Sequence, residues 1–177
     1  MSIDLKFPGD VRIQTVQELE WDNVELDFLL HHVPPAEFAE TATAKDARFV
    51  NLATGKLRMS FHSTVVRTPQ GNVLIDTCIG SDKERPLIKA WHKQTFPYLQ
   101  RMNALELQPA DIDFVCCTHL HADHVGWNTR LENGTWVPTF PNARYFFAEP
   151  EFSYWDKVQR EQPDHIFTQS WSDSIAP

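Results

Sequence analysis

The sequence predicts a layered α/β domain, and three observations carry that expectation. Apolar strand-like runs alternate with helical ones along the chain, as a layered architecture requires. Val73-Leu74-Ile75 is continuously apolar up to Asp76-Thr77, the pattern of a buried strand with an acidic end. Glu149–Arg160 carries Phe152, Trp155 and Val158 at every third position, one apolar stripe on a helix that Pro150 opens.

Taken in order, Val11–Val16 alternates apolar and polar residues and reads as a half-buried strand. Glu18–Leu30 is mixed, with Trp21, Val24, Leu26, Phe28 and Leu29 able to pack but no readable register. Pro34-Pro35 force an extended turn after His31-His32, and Pro35 can open a short helix over Ala36–Thr41. Phe49–Leu52 is a short apolar run closed by Thr54-Gly55-Lys56. Leu57–Thr68 and Val73–Thr77 then form a hairpin about the turn Pro69-Gln70-Gly71-Asn72. Pro86–Leu107 reads as helix in two pieces, Leu87–Gln94 and Tyr98–Ala104, split at Pro97. Its aromatic residues, Trp91, Phe96 and Tyr98, read with Met102 as core, the alternative being a cap over a substrate pocket. After a polar turn, Asp113–Thr118 is a strand, and Val125-Gly126-Trp127 begins a helix or loop. Thr135–Phe140 and Ala143–Ala148 read as a second hairpin about Pro141-Asn142. Gln169–Ile175 is a last helical turn.

Composition narrows the function. Hydrophobic residues make up 42% and charged ones 23%, which suits a globular chain rather than a disordered one. Twenty-four acidic against 16 basic residues give a net charge of −8 without a basic run, which argues against a nucleic-acid partner. Cys78, Cys116 and Cys117 make no disulfide framework and read as small buried residues. Met1–Asp10 lacks a basic segment followed by an apolar one, and no apolar run reaches membrane-spanning length. The expectation is a cytoplasmic protein with no membrane partner.

Behind the strand Asp113–Thr118 stands the stretch that the chain is organised around, Thr118-His119-Leu120-His121-Ala122-Asp123-His124-Val125-Gly126-Trp127. Imidazole nitrogen and carboxylate oxygen suit zinc and neighbouring divalent metals. On an extended or turning segment His119 and His121 point to one side, so both can bind one ion. Asp123 and His124, past a turn, can face a second. With 8 histidines among 177 residues, three in six positions beside an aspartate are not a chance surface cluster. His31-His32 have no third donor nearby and read as surface or pocket-lining residues; His62 reads as a packed or hydrogen-bonded one. Asp76 closes an apolar strand, where an unpaired buried charge is costly, so it needs a partner.

The wording T-H-L-H-A-D-H-V-G-W resembles the metal-binding motif of the metallo-β-lactamase-fold hydrolases. The resemblance implies an αββα sandwich with one or two metals at the edge between its sheets. His119 and His121 would serve the first metal, and Asp123 and His124 the second. Asp123 would also hold the attacking water in line. Asp76, in Leu74-Ile75-Asp76-Thr77-Cys78-Ile79-Gly80, would sit behind the metal loop and orient it by hydrogen bonds. Cys78 stands where the family's usual D-T-G has glycine. The family adds a histidine, a bridging aspartate and a last histidine downstream of the motif. Residues 125–177 hold one histidine, His165, in no matching context, and no G-H-T-x-G-H-like segment. The resemblance therefore covers the N-terminal half of such a sandwich, over residues 1–177 as a single domain truncated at its C-terminus, with an apolar sheet face left bare.

The activity implied is hydrolysis of an ester, lactone or related carbonyl by a metal-bound hydroxide, with zinc as the metal and other divalent ions as substitutes. His121, where the family's di-iron electron-transfer branch has glutamate, favours hydrolysis over redox chemistry. The motif wording resembles the lactonase and arylesterase-like branch. A second reading is a non-catalytic fragment or binding module that keeps two half-sites, completed by a second copy or a missing C-terminal half. A third is a structural zinc site in an unrelated fold.

Overall fold

The computed structural model describes residues 3–41, 47–163, 165 and 168–177. Its central element is a seven-stranded mixed sheet in the order β1-β2-β4-β5-β6-β9, with β3 paired to β4. The strands are β1 (Asp4–Phe7), β2 (Val11–Val24), β3 (Val50–Asn51), β4 (Lys56–Thr68), β5 (Gly71–Ile75), β6 (Phe114–Cys116) and β9 (Arg144–Phe146). A separate hairpin joins β7 (Thr129–Glu132) to β8 (Thr135–Pro138). The helices are α1 (Pro35–Thr41), α2 (Tyr98–Asn103) and α3 (Glu149–Glu161), followed by a π-helical turn over Trp171–Ile175. The alternation of strands and helices seen in the sequence is thus a mixed α/β fold.

The chain divides into two compact units, residues 1–18 with 61–177, and residues 19–60. The smaller one packs Val24, Leu26, Val50 and Leu57 together, with Trp21, Val33, Phe38 and Met59 around them. The larger one holds the motif. There β4 and β5 pair antiparallel, and β5, β6 and β9 run parallel, with Leu74 opposite Val115 and Val115 opposite Tyr145. Val65, Leu74 and Val115 share one face and are completely buried, under Tyr98 and Met102 of α2 and Trp155 and Val158 of α3. The other face carries Val66, Val73, Ile75, Phe114 and Cys116, all half-buried, and Phe146, exposed. Alternation along a strand puts neighbours on opposite faces, so this sheet is apolar on both faces and closely packed on one.

Three expectations change. Leu87–Gln94 is not a helix but a loop, closed where Asp82 N–H donates to Gln94 O and Lys93 N–H to Lys83 O. Its Trp91 is buried and meets Phe61 edge to face at 5.5 Å, and His92 Nδ1 accepts from Arg85 N–H. Burying the indole outweighs local helix propensity, a weak preference. Second, Thr135–Phe140 does not pair with Ala143–Ala148. Asn133 and Gly134 both take positive φ, 50° and 81°, which a two-residue hairpin turn demands, so β8 folds back on β7. That frees β9 to lie parallel to β6. Third, the strand before the motif is Phe114–Cys116, shorter than Asp113–Thr118, because its pairing with β5 and β9 ends at Cys116 and Thr118 bends into the loop. Strand β1, beyond the strands expected, pairs with the start of β2.

Candidate metal centre

The motif loop leaves the end of β6 and runs alongside the turn that leaves the parallel neighbour β5. Those two strand ends are tied together. Asp76 N–H donates to Cys116 O, Thr77 N–H to His124 O, Gly126 N–H to Cys78 O and Trp127 N–H to Thr77 O. The approach is so close that a Cβ on Gly126 would stand 1.9 Å from Ile79 O, so only glycine fits there. On the other side the turn is left-handed at two non-glycine residues, Asp76 at φ 56° and Cys78 at φ 52°. Cys78 takes this geometry where the family's usual D-T-G has glycine. Its thiol is buried and lies 3.4 Å from Ser63 Oγ, which accepts a hydrogen bond from Tyr98 OH.

Asp76 collects three donors. Thr118 N–H gives to Oδ1 at 2.7 Å, the Thr118 hydroxyl lies within 2.8 Å of Oδ2, and His124 Nδ1 lies 2.9 Å from Oδ2. Burial raises the Asp76 carboxyl, but the His124 and Thr118 hydrogen bonds outweigh it and hold the group below its ordinary value. An ionised Asp76 places the His124 proton on Nδ1 and leaves Nε2 with a free lone pair. Burial lowers His124, and the Asp76 bond with the charge of Asp123 more than restores it, to a value above the ordinary one.

The three imidazoles stand together. The His119 ring centroid is 4.6 Å from that of His121 and 3.8 Å from that of His124. Asp123 Oδ2 lies 3.5 Å from His124 Nε2. Burial and then the neighbouring His124 and His121 lower the His119 pKa, which favours the neutral, ligating form. The donor set, neutral imidazole nitrogens and a carboxylate at one loop, suits a divalent metal in kind. Among the described residues, no three His, Cys, Asp or Glu side chains are grouped closely enough to hold an ion as they stand. The His165 ring centroid is 5.9 Å from that of Trp155, and His62 is exposed on β4. His31 and His32 are exposed as expected, with Asp27 3.6 Å from His31.

Two carboxylates that brace this loop were not singled out in the sequence. Glu18, on β2, accepts from Ile79 N–H, Gly80 N–H and Trp127 Nε1–H at 2.7, 2.9 and 2.6 Å, so it holds both the turn after β5 and the end of the motif. Burial pushes its carboxyl up to about 7, against the pull of those three donors. Glu151, on α3, accepts from Leu120 N–H at 3.0 Å and Trp155 Nε1–H at 3.2 Å. A signal existed for each: Gln14, Val16 and Glu18 share strand parity, and Glu151 sits one turn before Trp155.

Residues 62–175 match the family model of the metallo-beta-lactamase superfamily. Among solved structures, the hydrolase AbOPH of the beta lactamase superfamily superposes with a TM-score of 0.69 at 20% identity, covering 99% of this chain and 57% of its own. A probable metal-dependent hydrolase from Staphylococcus aureus gives 0.67 at 18%, covering 91% of this chain and 55% of its own. AidC, a dizinc quorum-quenching lactonase with a product bound, gives 0.66 at 20%, covering 93% and 53%. The chain thus spans little more than half the length of these three structures. No curated protein matches it. The family match extends over the motif, the turn behind it and helix α3, and it agrees with the fold: the chain belongs to the metallo-beta-lactamase superfamily.

Proposed function

We propose that this chain carries the metal-binding half of a metal-dependent hydrolase acting on an ester, lactone or related carbonyl. His119 and His121 would hold one zinc ion, and Asp123 and His124 a second. A bound metal supplies Lewis acidity there, polarising a carbonyl oxygen and acidifying water. Asp76 fixes the tautomer of His124 and, through Thr118, the start of the loop. Asp123, beside His124 Nε2, accepts a hydrogen bond from the reacting water and holds it in line with the carbonyl carbon. Three free thiols suit a cytoplasmic setting, where cysteines stay reduced. The substrate class is supported by the likeness to AidC, a lactonase in its own right.

The observation that carries the reading is the His119 ring with its centroid 4.6 Å from that of His121 and 3.8 Å from that of His124, whose Nδ1 lies against Asp76. The alternative is a non-catalytic module with two half-sites. It draws on the lack of a three-donor group among the described residues, since a catalytic zinc ordinarily has three protein ligands. Metal analysis with a panel of esters and lactones separates the two. Stoichiometric metal and turnover that both vanish in His119→Ala support the enzyme; metal-free, inactive protein supports the module.

A further inference from the structure

We infer that Glu151 is a positioning residue for the H-x-H end of the loop, acting on His121 from α3. The inference rests on the reading of His119 and His121 as ligands of one metal. Leu120, the residue between them, is buried, and its N–H donates to Glu151 Oε2 at 3.0 Å. The same oxygen accepts the Trp155 indole N–H at 3.2 Å, one helical turn further on. Trp155 in turn sets its ring edge-on to His121, 5.5 Å between centroids and 76° between planes. One oxygen therefore fixes the backbone that carries both imidazoles and the side chain that one of them leans on. Asp76 serves the other end of the loop, where its contacts go to Thr118 and His124. Ligand residues depend on such supports for orientation, and losing one typically costs tenfold to a hundredfold in metal affinity.

A rival explanation is available, because Glu151 lies in the first turn of α3, where any negative charge favours the helix. Two variants separate the explanations in the full chain. Glu151→Gln keeps an oxygen at the same reach and loses the charge; Glu151→Asp keeps the charge and withdraws the oxygen by a methylene. Zinc titration and the His121 Cε1–H NMR signal of the metal-free protein, shifted by the Trp155 ring current, are the two readouts. The expected result is zinc binding weakened about tenfold to a hundredfold in Glu151→Asp, with the His121 signal moved toward its solvent position. Glu151→Gln should restore both. The opposite order, with Glu151→Asp like wild type and Glu151→Gln impaired, overturns the inference in favour of a helix-charge role, and so do equal affinities in both. His119→Ala serves as the control: if it binds zinc as wild type does, the metal reading itself falls. If His119→Ala loses zinc while both Glu151 variants keep it, only the role of Glu151 falls.

Discussion

Asp76 and Glu18 stand on opposite sides of the same turn, each accepting hydrogen bonds from three groups, yet their protons behave in opposite ways. Asp76 is held below its ordinary value and Glu18 is pushed up to about 7. The number of donors does not separate them. The Asp76 side chain keeps 16% of its surface, and its partners include an imidazole that can carry charge. Glu18 is 2% exposed, its partners are neutral N–H groups, and Asp123 adds a repulsive charge. Desolvation decides Glu18; the paired imidazole and threonine decide Asp76. The difference assigns different work to the two acids. Asp76 remains ionised to orient His124, whereas Glu18 closes the backbone of the turn from inside the core.

The largest effect should come from the loop itself. On the proposed reading, His119→Ala or Asp123→Ala is expected to abolish hydrolysis and leave the fold largely intact, since the core is built by the strands. Near-normal turnover at saturating metal would remove the site assignment.

Glu18→Ala should act on the fold instead. It leaves the Ile79, Gly80 and Trp127 N–H groups without their buried acceptor, at about 3 kcal/mol or more given roughly 1–3 kcal/mol for each. Denaturant unfolding of the metal-free protein measures it. The pH dependence has a defined sign. A carboxyl raised from 4.5 to about 7 on folding contributes stability that is fully present below 4.5 and lost as pH rises through 7. Glu18→Gln should flatten the stability profile across that window, and an unchanged slope would show that Glu18 does not carry the proton.

Asp76→Ala should reverse the pattern, lowering metal affinity about tenfold to a hundredfold with a smaller loss of stability. If metal titration gives an unchanged dissociation constant, Asp76 is an ordinary turn residue and the contrast with Glu18 collapses. Thr118→Val should have the smallest effect. It removes the hydroxyl's contacts with Asp76 and His119 Nδ1 but keeps the backbone N–H on Asp76, so about 1.5 kcal/mol is at stake, the low end for a bond to a charged group. A loss of metal affinity as large as that of Asp76→Ala would mean that Thr118, rather than Asp76, supports the loop.

What the sequence determined by itself is what short-range patterns encode. The hairpin of β4 and β5 follows from alternation and a turn, and α3 from its apolar stripe and Pro150. The motif gathers four donor residues within six positions. Asp76 was legible because a carboxylate that ends an apolar strand needs a partner. Asn133-Gly134 is an equally local signal, and it sets the hairpin of β7 and β8 in place of the one expected about Pro141-Asn142. The tertiary structure decided contacts between residues far apart in the chain. Glu18 meets Ile79, Gly80 and Trp127 across 61, 62 and 109 residues, and Glu151 meets Leu120 across 31. Segment 87–94 lost its expected helix because burying Trp91 against Phe61 outweighs propensity. Gly126 has no room for a side chain because the turn at Ile79–Gly80 lies against it. Periodicity tells which way a side chain faces; which group it meets depends on how parallel strands and their crossover connections pack, and no local pattern contains that.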